Sequence, residues 1–160
     1  MTIQIGDKIP SATLMQMRDG APRAVKTDDL FAGKRAVLFA VPGAFTPTCS
    51  AKHLPGYVQH AGEFADKGID FIACVAVNDA FVMGAWGNAQ GANDGVMMLA
   101  DGNGDFTKAA GLEMDAAKFG MGSRSQRYAM LVENGVVKKL FVEEPGAYSV
   151  SSAEHMLKEV

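Results

Sequence analysis

Cysteine is scarce in this chain: Cys49 and Cys74 are the whole thiol inventory among 160 residues. No C-x-x-C pair occurs, and two cysteines exclude a disulfide-stapled secreted scaffold. No apolar run approaches the roughly 20 residues that a bilayer-spanning helix needs. Neither a basic run nor an acidic tail is present, and the net charge of −3 gives no electrostatic reason to expect nucleic acid or an anionic membrane as partner. The three histidines, at 53, 60 and 155, do not cluster with cysteines or carboxylates in a metal-ligand spacing, so no metal site is expected. The N-terminal stretch from Met1 to Lys8 has neither the charged and apolar regions of a signal peptide nor the Arg/Ser-rich character of a transit sequence. The expected compartment is therefore a reducing cytoplasm.

What is present is an apolar, lightly charged chain, 48% hydrophobic and 21% charged, which is the composition of a globular protein and not of a disordered one. Its length suits one α/β domain over residues 1–160. The chain is organised around Val41-Pro42-Gly43-Ala44-Phe45-Thr46-Pro47-Thr48-Cys49-Ser50. Arg35 to Val41 reads as a buried strand of a parallel sheet, and Pro42-Gly43 ends it. Thr46 and Thr48 offer hydroxyls where a helix needs N-terminal caps, which puts Cys49 in the first turn. The amides and dipole of a helix start stabilise an anion there, so a thiol at this place ionises more easily. The bland alternative is that Cys49 is one more buried small hydrophobe.

Elsewhere the pattern is regular. Ala12–Met17 and Arg23–Lys26 flank the turn signal Asp19-Gly20 and predict a hairpin, followed by a short helix capped by Thr27. After Cys49 the helix meets Pro55-Gly56, where a kink or break is expected, leaving Cys49–Leu54 as a separate helical piece. Ile69–Val77, with Cys74 in its middle, and Val96–Ala100 read as further parallel strands. Between them lies a helix that starts at Asn78-Asp79. A glycine-rich loop runs from Phe119 to Arg127. Tyr128–Glu133 and Val136–Val142 flank Asn134-Gly135, the clearest hairpin in the chain. A capping box, Ser151 to Glu154, opens the last helix. From Arg35 onward the order β-α-β-α-β-α-β-β-α describes an α/β thioredoxin-like fold, with the N-terminal β-hairpin as an addition.

A thiolate alone is not selective. If the substrate is a peroxide, negative charge develops on the departing oxygen, and catalysis needs donors aimed at both oxygens of the lengthening bond. Thr46, the turn's backbone amides and an arginine across the cleft, Arg127, would supply them, while Pro42 would cover the sulfur. Pro42-Gly43-Ala44-Phe45-Thr46-Pro47-Thr48-Cys49 resembles the peroxidatic motif of the peroxiredoxins, P-x-x-x-T/S-x-x-C. Its full spelling is similar to the type II/type V (atypical two-Cys) group. The resemblance extends over His53-Leu54-Pro55-Gly56, Cys74 to Met83, and Arg127, and so over almost the whole chain.

The resemblance implies a thiol peroxidase acting on hydrogen peroxide and alkyl hydroperoxides, with Cys49 as the peroxidatic nucleophile and Pro42, Thr46 and Arg127 completing the site. It implies no metal, flavin or haem, and suggests a homodimer. Regeneration would come from glutathione, glutaredoxin or thioredoxin. Animal-type members carry a resolving cysteine near residues 146–151, where this chain has none. Cys74 matches the second cysteine of plant and bacterial members, but a mid-strand cysteine is ordinarily core, and a central strand cannot move toward Cys49 cheaply. Two routes stay open: Cys74 resolves after the helix unwinds, or an external thiol attacks directly in a one-Cys cycle.

His53 touches the site, joins a subunit contact or simply lies on the helix surface. Arg124 pairs with a carboxylate, lines the entrance or is a solvated loop residue. A redox sensor or relay passing oxidation from Cys49 to a partner would use the same residues. A thioredoxin-like disulfide reductase is disfavoured by the missing second cysteine of C-x-x-C.

Overall fold

The computed structural model describes residues 1–92 and 94–160. The predicted N-terminal hairpin is present as β1 (Thr13–Arg18) and β2 (Ala21–Lys26), joined through Asp19 and Gly20, both with positive φ. α1 (Thr27–Leu30) follows at once. Thr27 does not cap it: the hydroxyl donates to the Pro10 carbonyl and accepts from the Ala12 amide, tying the hairpin to the lead-in segment.

The central strands are β3 (Arg35–Ala40), β4 (Phe71–Ala76) and β5 (Met97–Ala100), parallel to one another. α2 (Leu54–Asp66) connects β3 to β4, and α3 (Ala80–Ala89) connects β4 to β5. α3 starts as predicted, with Asp79 accepting from the Val82 amide. After α4 (Asp105–Ala110) the loop read as merely glycine-rich contains a small sheet of its own, β6 (Glu113–Asp115) with β7 (Ser123–Ser125). β8 (Tyr128–Glu133) and β9 (Val136–Val142) form the late hairpin around Asn134 and Gly135, whose φ of 48° and 77° suit the favoured two-residue turn. α5 (Ala153–Glu159) closes the chain. Its cap is Ser152, which accepts from the His155 amide, so the cap falls one residue beyond the predicted Ser151. The pairing of Ser151 with Glu154 is not the one that opens the helix, and Ser151 is free for another task.

The seven-stranded sheet has the order β2-β1-β5-β4-β3-β8-β9. β3 lies next to β4 in parallel and to β8 antiparallel, a mixed sheet with helices on it that matches a thioredoxin-like fold. Side chains alternate across it, so each central strand feeds both faces. Val37, Phe39, Ile72 and Cys74 meet Cys49, Tyr57, Trp86 and Met156 on the face covered by α2, α3 and α5. Leu38, Ala73, Val75 and Met130 meet Phe31 and Phe106 on the other. Cys49 and Cys74 therefore share one buried layer. Among the described residues, no helix is long and apolar enough to cross a membrane.

Candidate active site

β3 ends at Ala40, and the turn that follows is pinned from several sides. The Asn78 side-chain oxygen accepts from the Ala44 amide at 2.9 Å. Gly43 is closely packed: a Cβ there would lie 3.2 Å from both Met121 Cε and Thr46 Cγ2, so those side chains would have to give way. Phe45 takes a positive φ of 62°, a left-handed conformation that costs a non-glycine residue about 1 kcal/mol. The Thr46 carbonyl accepts from the Ser50 amide, so helical bonding begins there and Cys49 lies in the first turn, as its sequence context implied.

Neither threonine caps this helix by its side chain. Thr48 makes no capping bond, and the Thr46 hydroxyl donates to the Gly43 carbonyl at 2.6 Å. With its proton committed to Gly43, the Thr46 oxygen keeps lone pairs able to accept a hydrogen bond.

Of the kink or break expected at Pro55, there is no break, but the helix changes type just before it. Cys49–His53 form a π-turn in which the Leu54 amide bonds the Cys49 carbonyl, and α2 continues directly from it. Pro55 then falls in the first turn of α2, directly after the wider π-turn, where the helix changes its hydrogen-bond spacing. Cys49 and His53 accordingly belong to a π-helical piece that is distinct from α2 and continuous with it.

Across the cleft, Arg127 sits just before β8. Its Nη2 donates to Cys49 Sγ at 3.1 Å, and its Nη1 donates to His53 Nδ1 at 2.8 Å. The other ring nitrogen of His53, Nε2, lies 3.0 Å from the Ser151 carbonyl. Both distances are met only if Nε2 carries the proton and Nδ1 accepts, which fixes the neutral tautomer. Burial first, and then the neighbouring Arg127 guanidinium, push His53 down to about 3. Phe39 and Tyr148 flank the ring, with centroids 4.8 and 5.3 Å away. Of the alternatives weighed from sequence, His53 takes the first: it touches the site. The signal was its spacing, four residues after Cys49 on a helix, which places both on one side.

Pro42, Thr46 and Arg127 line one end of a cleft of about 770 Å³ that also meets Phe119, Met121 and Pro145. Cys49 itself is fully buried and is reached from this lining through its bond with Arg127. Arg124 is a structural tie, donating to the Met121 and Val77 carbonyls. Trp86 is buried and donates to the Ser50 hydroxyl beside Cys49, whereas Phe45, Phe81 and Phe119 are exposed. Cys74 lies in β4 between Phe39 of β3 and Met98 of β5, and both cysteines are free. Burial, and secondarily Cys49, push the Cys74 thiol well up. Among the described residues no group of three or more His, Cys, Asp and Glu could hold a metal ion.

Cys49 is thus a buried thiol in the first turn of a helix, bonded by a guanidinium, in a chain that is similar over nearly its whole length to known proteins. Residues 4–157 match the Redoxin family. Peroxiredoxin-2E-2, chloroplastic, of rice is 56% identical over 98% of this chain and 72% of that protein. Peroxiredoxin-2E, chloroplastic, of Arabidopsis thaliana is 55% identical over 98% of this chain and 69% of that one. The chain is a peroxiredoxin. Reduced Prx3 of Vibrio vulnificus in complex with H2O2 superposes on this peroxiredoxin with a TM-score of 0.95 at 56% identity, covering 99% of each chain. Its activity is the family's thiol-dependent reduction of peroxides.

Proposed function

We propose that Cys49 is the thiol this peroxiredoxin oxidises, with Arg127, Thr46 and Pro42 as the groups that meet the hydroperoxide. The observation that carries this reading is the 3.1 Å bond from Arg127 Nη2 to Cys49 Sγ. A hydroperoxide enters through the wall formed by Pro42, Thr46 and Arg127. Cys49 sulfur attacks one peroxide oxygen, an S–O bond forms and the O–O bond breaks. The departing oxygen takes the electron pair and then a proton, leaving as water or alcohol, while sulfur is oxidised by two electrons to a sulfenic acid. Charge growing on the departing oxygen is met by the Arg127 guanidinium, and the Thr46 oxygen orients the peroxide by accepting its O–H. The apolar side of the cleft, Phe119, Met121 and Pro145, accommodates the organic part of an alkyl hydroperoxide.

Regeneration runs through an external thiol. Glutathione attacks the sulfenic acid, releases water and leaves a mixed disulfide. A second thiol, from glutathione or glutaredoxin, attacks that bond, restores Cys49 and departs as a disulfide. Supporting this cycle over an internal disulfide, Cys74 is laddered into the sheet on both sides and its thiol is disfavoured as an attacking thiolate. Two free cysteines suit a reducing compartment, the cytoplasm, and the exposed Phe45, Phe81 and Phe119 suit a homodimer contact. The test is steady-state peroxide consumption with glutathione and glutaredoxin. Cys49→Ser protein is expected to be inactive; retained turnover would refute the assignment.

A further inference from the structure

The Arg127–His53 pair that holds Cys49 is itself held at both ends by one residue outside the cysteine turn. Glu143 follows β9, and its backbone amide donates to the Arg127 carbonyl at 2.9 Å, extending the β8–β9 pairing by one position. Its side chain turns the other way. Oε2 accepts from the Ser149 amide at 2.7 Å, the Ser151 amide at 2.9 Å and the Ser151 hydroxyl at 2.7 Å. These bonds hold the Glu143 carboxyl below its ordinary value against its own burial, so it is ionised at neutral pH. The segment fixed in this way presents the Ser151 carbonyl, which receives both the Tyr57 hydroxyl at 2.7 Å and His53 Nε2.

We propose that Glu143 is a positioning residue for the peroxidatic thiol: it fixes the Ser151 carbonyl that sets the His53 tautomer, and through His53 it aims Arg127 at Cys49. Two features make this more than loop packing. The Ser151 carbonyl is where His53 places its one proton, and only that tautomer leaves Nδ1 able to accept from Arg127 Nη1. If the carbonyl moves away, the ring's proton has no partner at Nε2, and the other tautomer would set an N–H against the guanidinium. Arg127 would then turn its second donor away from Sγ. The glutamate also grips Arg127 through the main chain, so a shift at residue 143 is felt from two directions. This inference rests on the reading of Cys49 as the reactive thiol.

The test uses the full-length protein and its single tryptophan. Trp86 bonds the hydroxyl of Ser50, next to Cys49, so its fluorescence reports single-turnover oxidation by hydrogen peroxide in stopped flow. Glu143→Gln is expected to lower the second-order rate constant about tenfold, the effect of one misdirected charge-assisted hydrogen bond. His53→Gln lowers it as well, and the double variant is expected to be no slower than His53→Gln alone, because the two residues act in series. Nitrogen-15 spectra of the imidazole rings give a readout that loop packing would not move. His53 is expected to be the Nε2–H tautomer in the parent protein and a mixture in Glu143→Gln.

Ser151→Ala, which removes one donor to the carboxylate, is expected to act in the same direction but less strongly, and serves if Glu143→Gln does not fold. A rate within twofold of the parent, multiplying effects in the double variant, or an unchanged His53 tautomer would each overturn the proposal. The ring spectra involve no peroxide chemistry. A failure there is therefore separate from a failure of the Cys49 assignment, which shows as activity surviving in Cys49→Ser.

Discussion

Replacing His53 by glutamine should make the protein less sensitive to acid, and the size of the effect follows from the site's geometry. The folded ring resists protonation until about pH 3, against an ordinary value of 6.5. Between those values the unfolded chain binds a proton that the folded chain refuses, so stability rises with pH and is lost as pH falls from 6.5 toward 3. From pH 7 to pH 4.5 this one residue removes about 2.5 kcal/mol. For a chain of 160 residues that is a fall in Tm of about 5–10 °C beyond whatever the other groups contribute. Glu143 adds in the same direction, because its lowered carboxyl is stabilising when ionised and must be protonated in acid. Glutamine at 53 keeps an acceptor and a donor but does not titrate.

The assay is urea unfolding at pH 7 and pH 4.5 for both proteins. His53→Gln is expected to be less stable than the parent at pH 7 and to lose about 2.5 kcal/mol less between the two values. Equal losses for parent and variant would refute the claim that His53 is buried neutral against Arg127.

Two further outcomes follow from the same geometry. Thr46→Val keeps the shape of the wall but removes the oxygen proposed to accept from the peroxide. Stopped-flow oxidation should slow about a hundredfold, with the fold intact by circular dichroism, and a rate near the parent's would remove Thr46 from the site. Cys74→Ala should retain peroxide turnover with glutathione and glutaredoxin and lose only the modest stability of a small cavity, about 1 kcal/mol. Loss of turnover in a folded Cys74→Ala protein would restore the internal disulfide as an obligatory step.

Much of this was legible in the sequence because local signals and the fold agree. Apolar runs of strand length around Val37, Cys74 and Leu99 became the parallel core, and Asn134-Gly135 became the turn its dipeptide demands. Pro42, Thr46 and Arg127 line one cleft and Arg127 bonds Cys49, since three of the four lie in the segment after β3 and Arg127 directly precedes the strand paired to β3. What was not legible depends on partners far along the chain. Pro55 predicts a break until the π-turn before it is known, and whether that turn forms depends on what surrounds it. Ser151 looks like a helix cap, but Glu143 claims its hydroxyl and its amide, and the cap passes to Ser152. His53 carries the right spacing from Cys49, but nothing local tells whether that side of the helix is buried. Glu143 gives no sequence signal at all, since a glutamate after a strand is ordinarily solvated.

In the proposed cycle Cys49, held by Arg127, carries the chemistry and an external thiol restores it. Peptide mass spectrometry after one equivalent of hydrogen peroxide, with and without glutathione and with a sulfenic-acid trap, tests this most directly. A trapped sulfenic acid is expected on Cys49 alone, and a glutathione adduct on the same residue when glutathione is present. A Cys49–Cys74 disulfide, or oxidation first appearing at Cys74, would contradict it.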